Sequence, residues 1–267
     1  MSIYAIADLH LSFSTDKPMD VFGLAWENHA ARLEECWRSK IKPEDTVLIP
    51  GDISWGISLK EALADLQFIE SLPGTKILSK GNHDLWWGTT KKVEDFLVEN
   101  SLTSIKILKN NGYVVGNTLI AGSRGWLLPE NPESKKEDEK IYLREVGRLE
   151  RSLSDSIRMY EQLRQEEKSD KGDAEGEDSV CLEKGKPGVR KVAMLHYPPI
   201  YDPQRDNGFT RALERYGVEL CLYGHLHGRA HQRAFNGMRN GVEYRLIAGD
   251  YLRFDPYPVQ IQEEIPT

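Results

Sequence analysis

The sequence predicts an α/β fold in which a mainly parallel sheet delivers polar side chains to one edge. Two observations carry this. The N-terminal part alternates short β-branched runs with stretches of helical periodicity in the order β, α, β, α, β, α, and right-handed crossovers turn such an order into parallel strands. Each of those strands also ends in a polar cluster: Asp8 and His10, then Asp52, then Asn82, His83 and Asp84. Open α/β folds place their sites at the carboxyl edge of the sheet, so the clusters are expected to meet.

Taken in order, Ile3 to Ala7 is the first strand, and Asp8-Leu9-His10 follows it. Asp8 and His10 are two apart on extended chain, so both can face one metal. From about Met19 to Lys40 apolar residues recur at helical spacing (Leu24, Ala25, Ala31, Leu33, Cys36, Trp37), and Pro43 closes the segment. His29 lies inside that helix without polar companions and reads as structural or solvent-facing. Thr46-Val47-Leu48-Ile49-Pro50 is the second strand, ending in Gly51-Asp52. Leu59 to Leu72 is a helix stopped by Pro73-Gly74. Thr75 to Ser79 is the third strand, and after Gly81-Asn82-His83-Asp84 a helix runs from Thr89 to about Glu99.

Beyond Ser104 the texture changes. Ile105 to Leu108, Tyr113 to Val115 and Thr118 to Ala121 are short strands separated by Asn-Asn-Gly and Gly-Asn turns, a hairpin signature. Arg124, just past the last of them, is a candidate for touching an anionic substrate. Residues 129–188 interrupt the rhythm as a charged helical insertion. Ser134 to Lys168 has one apolar stripe (Ile141, Leu143, Val146, Leu149, Leu153, Ile157, Tyr160, Leu163) and reads as one helix, or two broken near Gly147. Residues 168–188 hold almost nothing to bury and are expected to be flexible. The insertion reads either as a solvated decoration or as a lid or homo-oligomer surface. Arg190 to Leu195 resumes the sheet and ends at His196. Arg205 to Tyr216 is a helix. Val218 to Tyr223 is a strand ending in Gly224-His225-Leu226-His227, and strands are expected around Ala230 to Phe235 and Val242 to Ala248, before Gly249-Asp250.

The 267 residues suit one large domain, and 39% hydrophobic with 29% charged residues describes a soluble globular chain. A net charge of −7 excludes a general nucleic-acid or anionic-membrane footprint. A phosphate substrate would then need its positive charge concentrated in the site, which a metal provides. No basic segment with an apolar run precedes the first strand, and the 3 cysteines are far apart with no CxxC. A cytoplasmic protein with no membrane partner is expected.

Five of the 7 histidines sit just after strands, in company with Asp and Asn. Independent structural explanations for all five would be a coincidence, and two metal sites explain them together. The donor set is oxygen and imidazole with no thiolate, which suits Mn, Fe, Zn or Ni.

The series Asp8-Leu9-His10, Gly51-Asp52, Gly81-Asn82-His83-Asp84, His196 and Gly224-His225-Leu226-His227 resembles the calcineurin-like metallophosphoesterases. The likeness covers nearly the whole chain outside the insertion, in the family's order. It implies a four-layer αββα sandwich of two mixed β-sheets flanked by helices, with a binuclear centre on the loops at one edge. It implies that Asp8, His10 and His227 hold one divalent metal ion and Asn82, His196 and His225 the other, with Asp52 bridging. The pair would activate a water or hydroxide and clamp a phosphoryl group. The resemblance also implies that His83 protonates or hydrogen-bonds the leaving oxygen and that Asn82 contacts substrate. Asp84 would orient His83 or a neighbouring backbone group, or simply shape the turn.

One branch of the family fits less well. The phosphoprotein phosphatases carry an Asp-Arg pair shortly after the Gly-Asp motif, where this chain has Trp55-Gly56. The Gly-His-x-His ending is more similar to the bacterial phosphodiesterases and phosphohydrolases. The expectation is a metal-dependent phosphohydrolase acting on a small phosphomonoester or phosphodiester. A nuclease of the same superfamily is the rival among enzymes, and the lack of a basic stripe weighs against it and against a nucleic-acid partner. The other rival is a non-catalytic metal-binding scaffold, against which stands the retention of every ligand position and of His83. Trp55, Trp86, Trp87 and Trp126 fall near the site loops, where packing is favoured over base stacking as their role.

Overall fold

A computed structural model describes residues 1–170 and 188–259. Its elements are β1 (Ile3–Ala5), α1 (His29–Lys40), β2 (Thr46–Pro50), α2 (Leu59–Ser71), β3 (Thr75–Ser79), α3 (Thr90–Glu99), β4 (Ile105–Ile107), β5 (Tyr113–Val115), β6 (Thr118–Ser123), α4 (Lys136–Asp170), β7 (Arg190–Leu195), α5 (Gly208–Arg215), β8 (Leu220–Tyr223), β9 (Gly237–Arg239), β10 (Val242–Leu246) and β11 (Tyr257–Val259). The first sheet has the order β11-β1-β2-β3-β4 and the second β5-β6-β7-β8-β10-β9. Both are mixed. In the first, β1 to β4 run parallel and β11 is antiparallel. In the second, β6, β7, β8 and β10 run parallel between antiparallel edges β5 and β9.

Three apolar layers account for the four-layer architecture. Alternate residues of a strand point to opposite faces, so Leu48 and Ile77 pack between the sheets against Val192, Met194 and Leu222. Val47, Ile49 and Leu78 face outward onto Leu33, Trp37, Leu66, Ile69 and Val93 of α1, α2 and α3. Ala193, Leu195, Cys221 and Tyr223 face the other way, onto α4 and α5 through Leu149, Leu153, Phe209 and Leu213. Strands buried on both faces read as continuous apolar runs, and β2 and β8 do.

The structure departs from the sequence reading at several joints. The helix expected from Met19 is two 3-10 turns, Met19–Phe22 and Leu24–Trp26, ahead of α1. Gly23 at φ +112° and Asn28 at φ +49° take left-handed backbone that no continuous helix contains. Asn110-Asn111-Gly112 is not a hairpin turn. It is a crossing between sheets, because β4 pairs with β3 while β5 and β6 form a hairpin of their own in the other sheet. Gly147 does not break α4. A glycine costs a helix about 1 kcal/mol, and the buried stripe of Tyr142, Leu149 and Leu153 outweighs that. The strand expected around Ala230 to Phe235 is a 3-10 turn, Gly228–Arg233. The helix expected from Arg205 starts at Gly208, where Asn207 and Thr210 form a reciprocal capping box.

The stretch 129–188 contributes α4, which lies along β6 and against α5 as part of the outer helical layer. Residues 168–170 end this helix, and the flexible segment expected to follow lies outside the described residues.

Candidate metal centre

The loops after β1, β2, β3, β7, β8 and β10 converge at one edge, where the two sheets meet. The backbone itself is bent to this purpose. Asp8, His10, Asp52 and His225 have φ of +59°, +45°, +52° and +74°, a region that costs a non-glycine residue about 1–3 kcal/mol. Neighbouring loops hold these conformations. Asp8 N donates to Gly51 O at 3.0 Å and His10 N to Asp52 O at 2.9 Å, while His225 N donates to Asp8 Oδ2 at 2.9 Å. Two glycines permit the approach: a Cβ at Gly81 would overlap Asp52 Oδ1, and one at Gly224 would overlap Asp8 Oδ2.

The side chains form two neighbouring groups, with Asp52 on the side of the second that faces the first. In one, Asp8, His10 and His227 bring their ligand atoms within 4.8 Å of one another, and in the other Asp52, His196 and His225 do the same. His10 Nε2 lies 3.3 Å from His227 Nε2 and 3.7 Å from Asp52 Oδ2. The same carboxylate oxygen lies 3.4 Å from His196 Nε2 on the other side. Asn82 Oδ1 closes the second group at 2.7 Å from His196 Nε2 and 2.9 Å from His225 Nδ1.

Burial governs the electrostatics. It pushes the His10 imidazole down and those of His196 and His225 down to about 3, which favours the neutral rings that can ligate. Burial, with the carboxylates of Asp8 and Asp84 adding to it, pushes Asp52 up. At His227 burial is outweighed by the carboxylates of Asp8 and Asp250, which raise it to about 10.

His83 is the exposed member of the set. Its ring lies 4.5 Å from that of Trp55 and 5.6 Å from that of His10, and its backbone N donates to Asp52 Oδ1 at 2.8 Å. Asp84 makes no hydrogen bond to that ring. It is fully buried, and its carboxylate accepts from the backbone N of Gly81 at 2.8 Å, Asp52 at 2.9 Å and Ile53 at 2.8 Å. Ser54 N at 3.3 Å and Trp86 Nε1 at 3.1 Å complete its partners. Of the roles expected for Asp84, orienting neighbouring backbone matches this geometry and acting on His83 does not. Arg124 is not in either group: its guanidinium lies 4.3 Å from the centre of the Trp126 ring and lines an adjoining cavity. Trp55 stacks on His10 at 5.0 Å, and Trp26 meets His10 and His227 edge-on, so these rings wall the imidazoles.

The sequence reading missed Asp250 and His231. Asp250 Oδ1 lies 2.9 Å from His227 Nδ1, and Oδ2 lies 3.2 Å from His231 Nε2 and accepts from Gly228 N at 3.0 Å. The signal was present: Gly249-Asp250 follows β10 as Gly51-Asp52 follows β2.

The family model for calcineurin-like phosphoesterases matches residues 1–229. The chain belongs to that family. Among curated proteins, the Gene 66 protein of Mycobacterium phage L5 is 41% identical over 80 residues, which is 29% of this chain. The match spans only 37% of that relative's length. Among solved structures, a phosphopantetheinyl hydrolase of Mycobacterium tuberculosis is similar with a TM-score of 0.50 at 15% identity, over 100% of this chain and 98% of that one. A protein of unknown function from Aquifex aeolicus has a TM-score of 0.46 at 14% identity, over 96% and 95% of the two chains. At 15% identity the likeness to the hydrolase is one of fold.

This phosphoesterase family is metal-dependent, and the residues present fit divalent cations. Two carboxylates and four imidazoles face one another in a largely buried cluster, and His10 and His227 turn ring nitrogens toward each other at 3.3 Å. Mutually repelling carboxylates and lone pairs that converge on one space are compensated by cations. Among the described residues no helix is long and apolar enough to cross a membrane.

Proposed function

We propose that this phosphoesterase hydrolyses a small phosphate ester, monoester or diester, at a pair of divalent cations that share Asp52. One observation carries the reading: Asp52 Oδ2 has His10 Nε2 at 3.7 Å on one side and His196 Nε2 at 3.4 Å on the other. A carboxylate between two imidazole groups suits two cations with one bridging ligand. Asp8, His10 and His227 would hold one cation and Asn82, His196 and His225 the other. Bound there, the cations supply Lewis-acid charge to the phosphoryl oxygens and lower the pKa of water.

The chain's own residues do the rest. Trp26 and Trp55 exclude water from one flank of the imidazoles and fix their planes. Asp84 holds the amides of residues 52–54 and 81, which fixes where Asp52 points. His83, exposed at the mouth, donates a proton or hydrogen bond to the leaving oxygen. Its backbone N stays on Asp52, so the donor and the bridging carboxylate move together.

The test is hydrolysis of bis-p-nitrophenyl phosphate and p-nitrophenyl phosphate by the metal-stripped protein and after reloading with Mn²⁺. Turnover is expected to need the metal and to vanish in Asp52→Asn with loss of bound metal. His83→Ala is expected to keep its metal and slow by roughly 10²–10⁴-fold. A His83→Ala protein that loses a metal equivalent would overturn the assignment of His83 as donor. Two bound metals with no turnover of any phosphate ester would favour a scaffold.

A further inference from the structure

Beside the metal centre, between β3, β6 and α4, lies a cavity of about 190 Å³ whose chemistry the hydrolytic residues do not use. Four cations line it, Lys80, Lys109, Arg124 and Arg148, against one carboxylate, Glu145. That is a local excess of three positive charges in a chain whose net charge is −7. Glu145 is fully buried, and its Oε1 is held by Arg148 Nη1 at 2.5 Å, with Arg124 Nη2 at 3.8 Å. Its Oε2 has no partner. One carboxylate therefore leaves most of the positive charge uncompensated.

Two buried donors are also unpaired. Trp87 is 3% exposed and lines the cavity, as does Arg124, yet neither Trp87 Nε1 nor Arg124 Nε has a hydrogen-bond partner. An unsatisfied buried donor costs about 1–3 kcal/mol, so such a pair marks a place where an acceptor belongs. Lys80 is positioned for the same purpose, its Nζ anchored on Trp87 O at 2.9 Å. Lys109 also lines the cavity, and no salt bridge within 4.0 Å is seen for it among the described residues.

The cavity adjoins the cleavage site. Lys80 stands two residues before Asn82. Arg124 O accepts from His196 N at 3.1 Å and Tyr197 N at 2.9 Å, and the Tyr197 ring lies 4.2 Å from that of His225. It is smaller than the roughly 300–1,000 Å³ that encloses a whole ligand, and five of its nine lining residues are charged. Two guanidinium forks and two ammonium groups suit an oxygen-rich dianion.

We propose that this cavity is a second anion subsite, which holds a phosphoryl group that the substrate carries in addition to the one cleaved. The inference rests on the hydrolase reading for the word substrate, and on the cavity alone for the anion. The substrate class is then a small bisphosphorylated ester. One phosphoryl lies at the metal centre and is released to water, and the other stays esterified and anchored by Arg124, Lys80 and Lys109.

Two measurements on the full chain test it. Inorganic phosphate is titrated by calorimetry into chelator-treated protein, whose metal centre then presents carboxylates that repel phosphate. Lys109→Gln is expected to weaken binding by about 5–10-fold, the range of one charge-assisted contact. Glu145→Gln, which removes the competing carboxylate, is expected to strengthen it several-fold. A misfolded variant cannot produce that opposite sign. Phosphate that does not bind, or binds indifferently to both substitutions, overturns the subsite. In the Mn²⁺-loaded protein, propanediol bisphosphate is expected to exceed propyl phosphate in kcat/KM by about tenfold or more. That ratio should collapse in Lys109→Gln, mainly through KM. Equal rates on the two esters overturn the assignment of the substrate class. Phosphate bound at the cavity with no hydrolysis of either ester would sink the hydrolase reading and leave the anion subsite standing.

Discussion

At the scale of single residues, a buried carboxylate aims a candidate ligand that is itself only partly buried. His227 is the clearest case. Its Nε2 faces His10 and Asp8, while its Nδ1 is bonded to Asp250 at 2.9 Å. A carboxylate on the far ring nitrogen fixes the tautomer and raises the basicity of the ligating one. Asp250→Asn is therefore expected to lower Mn²⁺ affinity about 10–100-fold while keeping the fold, read by calorimetry and by circular dichroism. Unchanged affinity would confine Asp250 to holding Gly228 N and His231. The candidate ligand residues were legible because Asp, Asn and His recur just past strands, a local pattern. Asp250 and the partners of Asp84 were not. Their roles depend on which loops the sheets set side by side, and a Gly-Asp pair at a strand end is also an ordinary turn.

At the scale of elements, the sequence concealed pairing more than type, although a 3-10 turn stands where a strand was expected around Ala230 to Phe235. β4, β5 and β6 are strands as expected, yet the chain changes sheet between β4 and β5, and an Asn-Asn-Gly turn looks the same in either topology. The helix α4 is similar. Its stripe was legible, and its destination was not. It is fastened across β6 by Ser152, whose Oγ accepts from Gly122 N at 2.9 Å and donates to Asn111 O at 2.6 Å. Gly112 packs so closely under Ser156 that a Cβ there would overlap it. Ser152→Val would leave a donor and an acceptor buried and unpaired, a cost of about 1–3 kcal/mol for each group. Urea denaturation is expected to show a lowered midpoint with an unchanged slope. A midpoint equal to wild type would mean that α4 is held by its apolar stripe alone. Because Glu145 lies on the same helix, loosening α4 should also disturb the cationic cavity before it disturbs the metal ligands.

At the scale of the molecule, the site is where the two sheets are joined. Asp8, Asp52 and Asn82 come from the loops of the first sheet, while His196, His225 and His227 come from the second. The four-layer architecture follows from strands that are apolar on both faces, and that arrangement brings six loop ends to one edge. The cost is a buried cluster of carboxylates and imidazoles on strained backbone, in which, among the described residues, no lysine or arginine pairs with Asp8 or Asp52. Cations that bind only the folded arrangement stabilise it by mass action, about 2.7 kcal/mol at a hundredfold excess over the dissociation constant. Chelation is thus expected to lower the thermal midpoint by several degrees, and Mn²⁺ to restore it. In Asp52→Asn the metal-free protein should melt no lower than metal-free wild type, since a buried charge is gone, and added Mn²⁺ should raise its midpoint little. Calorimetric scans of both proteins with and without chelator measure this. If Mn²⁺ raised the midpoints of both proteins equally, it would be acting elsewhere than between the sheets. A rise confined to the wild type would make the same carboxylate responsible for tying the halves of the fold together and for assembling the centre.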